Sequence, residues 1–232
     1  MTLAPKIATP ERLTGRTRDH LVSLDDGSIW IHADLAGPFR SLQAEARHAG
    51  FDPKIVSGFR DFDTQLRIWN EKVSGKRPLL DADSEPLDVH ALKPREIIDA
   101  ILRWSALPGA SRHHWGTDVD VIDARALVPG YRVALVPEEF EGSGPFAPLH
   151  VWLDQHLSRF GFFRPYREDR GGVSPERWHL SYAPIASLWE EALTIELLER
   201  VLEGAEMALK KEVLDRLPDL FELYVENISP VV

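Results

Sequence analysis

The chain has no cysteine among its 232 residues. That absence removes disulfides, Cys-ligated zinc, iron–sulfur clusters and a thiol nucleophile together, and it leaves the redox compartment open. Any metal must be held by His, Asp or Glu. Positive charge is also scarce, since 27 Lys and Arg stand against 37 Asp and Glu for a formal charge of −10, which excludes a basic nucleic-acid binder as the first expectation. No apolar run reaches the ~18 residues that a membrane helix needs, and even 97–107 is interrupted by Asp99 and Arg103. The first twenty residues never form the apolar segment of a secretory signal, so the cytoplasm is the expected compartment, with export by another route left open. Phosphate-binding G-x-x-x-x-G-K-[ST], dinucleotide-binding G-x-G-x-x-G, the G-x-S-x-G elbow, S-x-x-K and H-E-x-x-H are all missing.

What is present is an ordinary globular composition, 44% hydrophobic and 28% charged, without repeats or low-complexity segments. Residues 28–33 alternate as a short strand, and Pro38 is expected near the start of a helix carrying Phe39, Leu42, Ala46 and Ala49, closed by Gly50. A brief strand at Ile55 and Val56 runs into Ser57-Gly58-Phe59-Arg60, and Asp63 to Val73 has helical spacing, so Arg60 is placed at a strand-to-helix junction. Residues 74–93 are expected as a surface loop, 94–107 as a helix, 117–122 as a strand, 129–145 as irregular chain and 146–160 as a helix ended by Gly161. Beyond residue 184 the pattern becomes helical, with Leu188, Ala192, Ile195, Leu198 and Leu202 expected on one stripe and Val213, Leu217, Phe221 and Tyr224 on a second. The mixed order of strands and helices predicts an α+β fold: a small, largely antiparallel sheet with flanking helices and a helical C-terminal extension. A single domain is expected, with its core at about 38–184, a lead-in at 1–37 and the extension at 185–232.

The densest set of potential ligands lies at 109–123. A turn at Gly116 lets His113 converge with Asp120, and Asp118 shares the Asp120 face because strand side chains alternate. Taken alone, this cluster reads more readily as a surface turn followed by a solvated strand face than as a ligand set. Some sixty residues on, Glu176 and His179 flank Trp178 in Ser174-Pro175-Glu176-Arg177-Trp178-His179. One His–Asp pair, a further His and a nearby Glu supply the three ligands and the carboxylate of a hydrolytic zinc centre. The alternative is a Trp–His pair in the core with an exposed Glu.

Together these segments resemble the zinc D-alanyl-D-alanine carboxypeptidases of the VanY type, relatives of the hedgehog signalling domain. The pattern S-x-H-x-x-G-x-A-x-D is met by Ser111, His113, Gly116 and Asp120, E-x-W-H by Glu176, Trp178 and His179, and S-G-[YF]-R by Ser57 to Arg60, with Gln65 where the family commonly has Gln. The resemblance implies one zinc ion per chain on His113, Asp120 and His179, Glu176 as general base and acid, and Arg60 beside the substrate carbonyl. It implies substrate contacts from Ser111, Gln65, Asp118 and Trp178, while Ser111 reads equally as a backbone-bonding turn residue and Gln65 as a cap of local structure. Asp118 departs from the family's usual Ala, and three roles are open to it: binding a substrate ammonium, holding a ligating His, or competing with Asp120 for the metal. His114 is expected to pack rather than ligate, and Trp115 to wall the pocket beside Trp178.

The implied substrate is a D-Ala-D-Ala terminus, as free dipeptide, peptidoglycan stem peptide or precursor, with no nucleic-acid partner and no membrane span. Two other activities fit a similar zinc site: an L-alanyl-D-glutamate endopeptidase of the endolysin kind, and a non-catalytic zinc-stabilised binding module. The sequence sets no oligomeric state. The helical tail is open to three roles: dimer interface, cover for one edge of the cleft, or extension of the core. The acidic segments 81–88 and 138–141 are expected to be solvated, or else to border the cleft.

Overall fold

The computed structural model describes residues 8–24, 27–82 and 84–231. The first seven residues of the expected lead-in and the last residue of the extension therefore lie outside the described residues, as does Asp83 of the acidic loop. A short helix α1 (Pro10–Leu13) precedes the hairpin of β1 (Leu21–Leu24) and β2 (Ile29–His32). Next come α2 (Ala33–His48), β3 (Pro53–Ser57), α3 (Phe62–Val73), the small hairpin β4 (Leu79–Leu80) and β5 (Pro86–Leu87), and α4 (Pro94–Trp104). The middle of the chain forms β6 (Asp118–Asp123), α5 (Pro137–Phe140), α6 (Ala147–His156), β7 (Phe162–Phe163) and β8 (His179–Tyr182). Helices α7 (Ala183–Ala192), α8 (Ile195–Glu203), α9 (Lys210–Leu214) and α10 (Leu217–Phe221) complete it.

The central sheet is antiparallel throughout, in the order β3-β6-β8-β7, which gives the expected α+β architecture. Strand β6 lies between β3 and β8, and all six of its residues are buried. Val119 and Val121 point to a core made with Leu35, Phe39 and Leu42 of α2 and Leu149 and Leu153 of α6. Asp118, Asp120 and Ile122 point the other way by period-two alternation: Asp120 lines the cleft, Asp118 is enclosed behind it, and Ile122 packs with Phe140, Phe146 and Trp178. A second core joins Phe62 and Trp69 of α3 and Ile98 and Ile101 of α4 to Leu198, Leu202, Val213, Leu217 and Phe221 of the C-terminal helices. Of the three roles open to the tail, the structure shows the last: it extends the core. Each fully buried Leu there contributes about 1.5–3 kcal/mol of transfer free energy.

Several boundaries differ from the sequence expectation. Helix α2 begins at Ala33, before Pro38, because the His32 imidazole caps it, its Nδ1 accepting from the Asp34 N–H at 3.2 Å. Helix α4 stops at Trp104 rather than 107, since Ser105 and Ala106 turn aside to accept hydrogen bonds from the Gln65 amide. The stretch 74–93 is not plain loop: β4 and β5 pair there, and Leu79 and Val89 enter the core. The single stripe expected from Leu188 to Leu202 is two helices, because Thr194 caps α8 through the Leu197 N–H and resets the helical phase. Leu188 is consequently exposed, while Ala186, Trp189 and Leu193 are buried. The second stripe is likewise split, with Pro218 opening α10. The pairing of β1 with β2 had no counterpart in the sequence reading.

Candidate metal centre and active site

The site is assembled where β6, β8 and two loops meet. Antiparallel register puts Asp120 directly opposite His179 on one side and Ser57 on the other, so three side chains start from adjacent Cα positions. A bulge between Ile55 and Ser57 bends β3 as it leaves the sheet and directs the chain through Gly58 toward Arg60. His113 arrives on a 3-10 turn, Arg112–Trp115, that ends at Gly116 in the left-handed region, with φ 68°. A Cβ at Gly116 would lie 2.6 Å from Leu21 Cδ2 and 2.9 Å from the His32 nitrogen, and one at Gly58 would lie 2.5 Å from the Trp30 carbonyl oxygen. The N-terminal hairpin is thus pressed onto both glycines and supports the two loops that carry Arg60 and His113.

His113, Asp120 and His179 come together with their ligand atoms all within 4.8 Å of one another, and all three side chains are buried. The His113 Nδ1 lies 2.9 Å from the Gly58 carbonyl oxygen, which can only accept, so Nδ1 carries the proton and Nε2 presents its lone pair 3.5 Å from Asp120 Oδ2. Burial, reinforced by nearby Arg60 and His179, pulls the His113 imidazole down to about 4, which keeps it neutral at physiological pH. His179 directs Nε2 at Asp118 Oδ1, 3.0 Å away, and turns Nδ1 toward Asp120 Oδ1 at 3.5 Å and Glu176 Oε2 at 3.4 Å. Although burial disfavours its charge, the surrounding Asp118, Asp120 and Glu176 raise its pKa well above the ordinary value. The proton so held on Nδ1 is the one a metal ion would displace. Burial tends to raise Asp120 as well, but His113 and His179 hold its carboxyl at about 2.

These residues fit a divalent metal. Asp120 Oδ1 is buried and has no hydrogen-bond partner among the described residues, an arrangement that is costly unless a cation completes it. Two imidazole nitrogens and one carboxylate oxygen are the donor set of three-ligand zinc sites. Each imidazole is also oriented through its other nitrogen, as ligating histidines usually are.

Glu176 stands at the edge of this triad, largely buried, and burial together with Asp120 raises its carboxyl above the usual range. Arg60 enters the same cleft. Its backbone is held twice, its N–H donating to the His113 carbonyl at 3.1 Å and its carbonyl accepting from His114 Nδ1 at 2.6 Å. The Gly109 N–H donates to His114 Nε2 at 3.0 Å, so His114 has no nitrogen left for a metal and packs, as expected. The cleft has a volume of about 360 Å³ and is also lined by Ser111, Trp178, Tyr166, Lys72 and Arg77. The Ser111 hydroxyl makes no hydrogen bond to a described residue and is left to face the cleft.

Two side chains expected to touch substrate lie behind the wall. Gln65 is fully buried, accepting from Arg60 Nη1 at 2.9 Å and donating to Ser105 Oγ and the Ala106 carbonyl, so it holds Arg60 in place. Asp118 is likewise shut away, with its oxygens occupied by His179, Arg112, Thr117 and Ser181; of its three open roles, the geometry selects holding a histidine. Trp115 turns into the core against Trp189 instead of walling the pocket. Trp104, packed against the core formed by Ile122, Phe140, Phe146 and Trp178, borders the cleft and donates its indole N–H to the Asp81 carbonyl.

The acidic run 138–141 is not solvated throughout. The Glu139 carboxylate is buried and accepts from the N–H groups of Ala134, Leu135 and Val136 and from the Tyr131 hydroxyl, which fixes the segment that forms one cleft wall. Sequence reasoning missed Tyr166, Lys72, Arg77 and Arg112. None belongs to a spaced motif, and only the tertiary fold brings them to the cleft.

A family model described as VanY, D-alanyl-D-alanine carboxypeptidase, matches residues 28–185. A D-alanyl-D-alanine carboxypeptidase of Enterococcus faecalis is 28% identical over 157 residues, covering 65% of this chain and 48% of that protein. Among solved structures, VanYB in complex with D-alanine-D-alanine aligns at a TM-score of 0.50 and 26% identity, covering 80% of this chain and 89% of the other. A variant of the vancomycin-resistance D,D-pentapeptidase VanY from a VanB-type cassette, in complex with Zn(II), aligns at 0.50 and 24% identity over 83% of this chain and 88% of that one, a likeness of fold. With more than half its length matched by the family model, the chain belongs to the VanY family of D-alanyl-D-alanine carboxypeptidases.

Proposed function

We propose that this chain is a zinc peptidase that removes D-alanine from peptidoglycan-type peptides ending in D-Ala-D-Ala, with one zinc ion held by His113, Asp120 and His179. The observation that supports it most is the convergence of those three buried ligand atoms, with Asp120 Oδ1 making no hydrogen bond to a described residue, beside Glu176 and within the cleft that holds Arg60. Zinc in a three-ligand site supplies Lewis acidity, making water acidic enough to react near neutral pH and polarising a carbonyl.

This chain's own residues supply the rest. Glu176, with a carboxyl raised by burial, takes the proton from the attacking water and delivers it to the leaving amine. Arg60, fixed by Gln65 and by its two backbone hydrogen bonds, donates to the carbonyl oxygen as that oxygen gains charge. Ser111, on the cleft lining, hydrogen-bonds substrate in this reading, and Trp178, packed on Phe140, gives an apolar wall beside the ligands.

The cations in the cleft favour a carboxypeptidase over an endopeptidase. Lys72 makes no ion pair with a described residue and with Arg60 adds positive charge to the lining, whereas Arg77 is paired with Glu71; the added charge suits a free terminal carboxylate. A non-catalytic module would need neither Glu176 nor Arg60. The test compares peptides ending in D-Ala-D-Ala with their C-terminal amides and with L-Ala-D-Glu-linked peptides. Release of D-alanine from the free acid alone is expected, whereas cleavage at L-Ala-D-Glu would overturn the substrate assignment.

A further inference from the structure

Behind the cleft, a continuous chain of hydrogen bonds runs from the C-terminal extension to the metal triad. Glu190 of α7 accepts from Arg112 Nη1 at 3.0 Å, Arg112 Nε donates to Asp118 Oδ1 at 2.9 Å, and the same oxygen faces His179 Nε2 at 3.0 Å. The Arg112 side chain is 4% exposed and that of Asp118 is 0% exposed, while Glu190, at 30%, is the member that reaches the surface. Arg112 Nη2 donates to Ser181 Oγ at 3.0 Å, so its guanidinium plane is fixed by acceptors on β6, β8 and α7 at once. The Arg112 guanidinium also lies over the Trp115 ring, 4.8 Å from its centroid. Glu190 falls beyond residue 185, where the family match ends.

We propose that Glu190 is a positioning residue for the metal centre, acting through Arg112 and Asp118 to hold His179 with its Nδ1 free to ligate. The inference rests on the metal site proposed above. Its physical basis is charge balance in a buried network. With Asp118 as its sole counter-charge, the Arg112 cation would neutralise that carboxylate and weaken its pull on the His179 Nε2–H. Glu190 supplies a second negative charge, so Asp118 retains the charge with which it orients the imidazole and strengthens it as a ligand. The C-terminal extension therefore belongs functionally to the site as well as structurally to the core.

The test measures zinc dissociation constants by chelator competition, with Co(II) absorption spectra, for the native chain, Glu190→Gln, Asp118→Asn and the double variant. Glu190→Gln preserves shape, and thermal melts of the metal-free proteins check that it folds. Expected is roughly tenfold weaker zinc binding for Glu190→Gln and roughly tenfold to a hundredfold for Asp118→Asn, with the Co(II) spectrum shifted in both. The double variant should bind no more weakly than Asp118→Asn, because both changes act through one carboxylate. Glu191→Gln, on the same helix and exposed, should match native. Native affinity and spectrum in Glu190→Gln, or effects that multiply in the double variant, would overturn the role of Glu190 while leaving the zinc peptidase intact. A native chain that binds no zinc would overturn both.

Discussion

The floor and the rim of the cleft are built on different principles. On the floor, formed by β6, β8 and the loops at 58–60 and 111–116, three functional side chains are each fixed by a second partner: His113 by Gly58, His179 by Asp118, Arg60 by Gln65. On the rim at 131–139, the backbone itself is gathered around a single carboxylate, Glu139. The floor can hold reacting groups to a fraction of an ångström because its partners come from several strands and loops. The rim shapes the entrance and depends on one residue. Chemistry should therefore fail when the floor is changed, and selectivity when the rim is changed.

The largest effect is expected on the floor. Asp120→Ala removes a charged ligand between two imidazoles and should abolish stoichiometric zinc binding and D-alanine release together, as read by metal analysis and a D-alanine assay. Gln65→Ala should lower kcat about tenfold with little change in KM, because Arg60 loses its anchor while the binding surface is unchanged. The same variant should lose about 1–3 kcal/mol of stability, since the Ser105 and Ala106 acceptors are left without their donor. A rise in KM with kcat intact would instead return Gln65 to the cleft surface.

Beneath the floor, His150 directs Nε2 at the Val121 carbonyl at 3.0 Å, and burial with Arg164 alongside lowers it to about 3. Because the folded value lies below the unfolded one, the unfolded chain binds an extra proton in the window between them. The contribution is complete above about pH 6.5 and is lost as pH falls toward 3, roughly 2 kcal/mol of it between pH 7 and pH 5. Denaturant unfolding at those two pH values should show a smaller pH dependence in His150→Gln than in the native chain, and equal dependence would contradict the buried neutral imidazole.

The smallest effect belongs to the rim. Glu139→Gln keeps some acceptors for the 134–136 amides but loses the charge, so KM for long stem peptides should rise several-fold while kcat on short substrates stays within about twofold. Equal effects on both substrate lengths would remove the distinction between floor and rim.

Much of the floor was legible in the sequence because each element carries its own local signal. Gly116 marks the turn, alternation places Asp118 and Asp120 on one face, and the three-residue spacing of Glu176 and His179 survives folding as direct contact. What was not legible depends on partners far apart in the chain. Gln65 meets Arg60 five residues away, yet its own donors go to Ser105 and Ala106, and Arg112 is joined to Glu190 across 78 residues. Glu139 lay in an acidic run that local composition marks as solvated, but four donors from 131–136 draw it inward. The helical tail was recognised as helical, but its phase was not, because the Thr194 cap breaks what looked like one stripe.

The most direct measurement is D-alanine release from a short peptide ending in D-Ala-D-Ala by the zinc-loaded native chain and by Glu176→Ala, with zinc content determined for both. About one zinc per chain in each protein, with release by the native chain and a loss of roughly 10²-fold or more in the variant, is the predicted result. Undiminished release by Glu176→Ala, or a native chain that holds zinc yet releases no D-alanine, would contradict it.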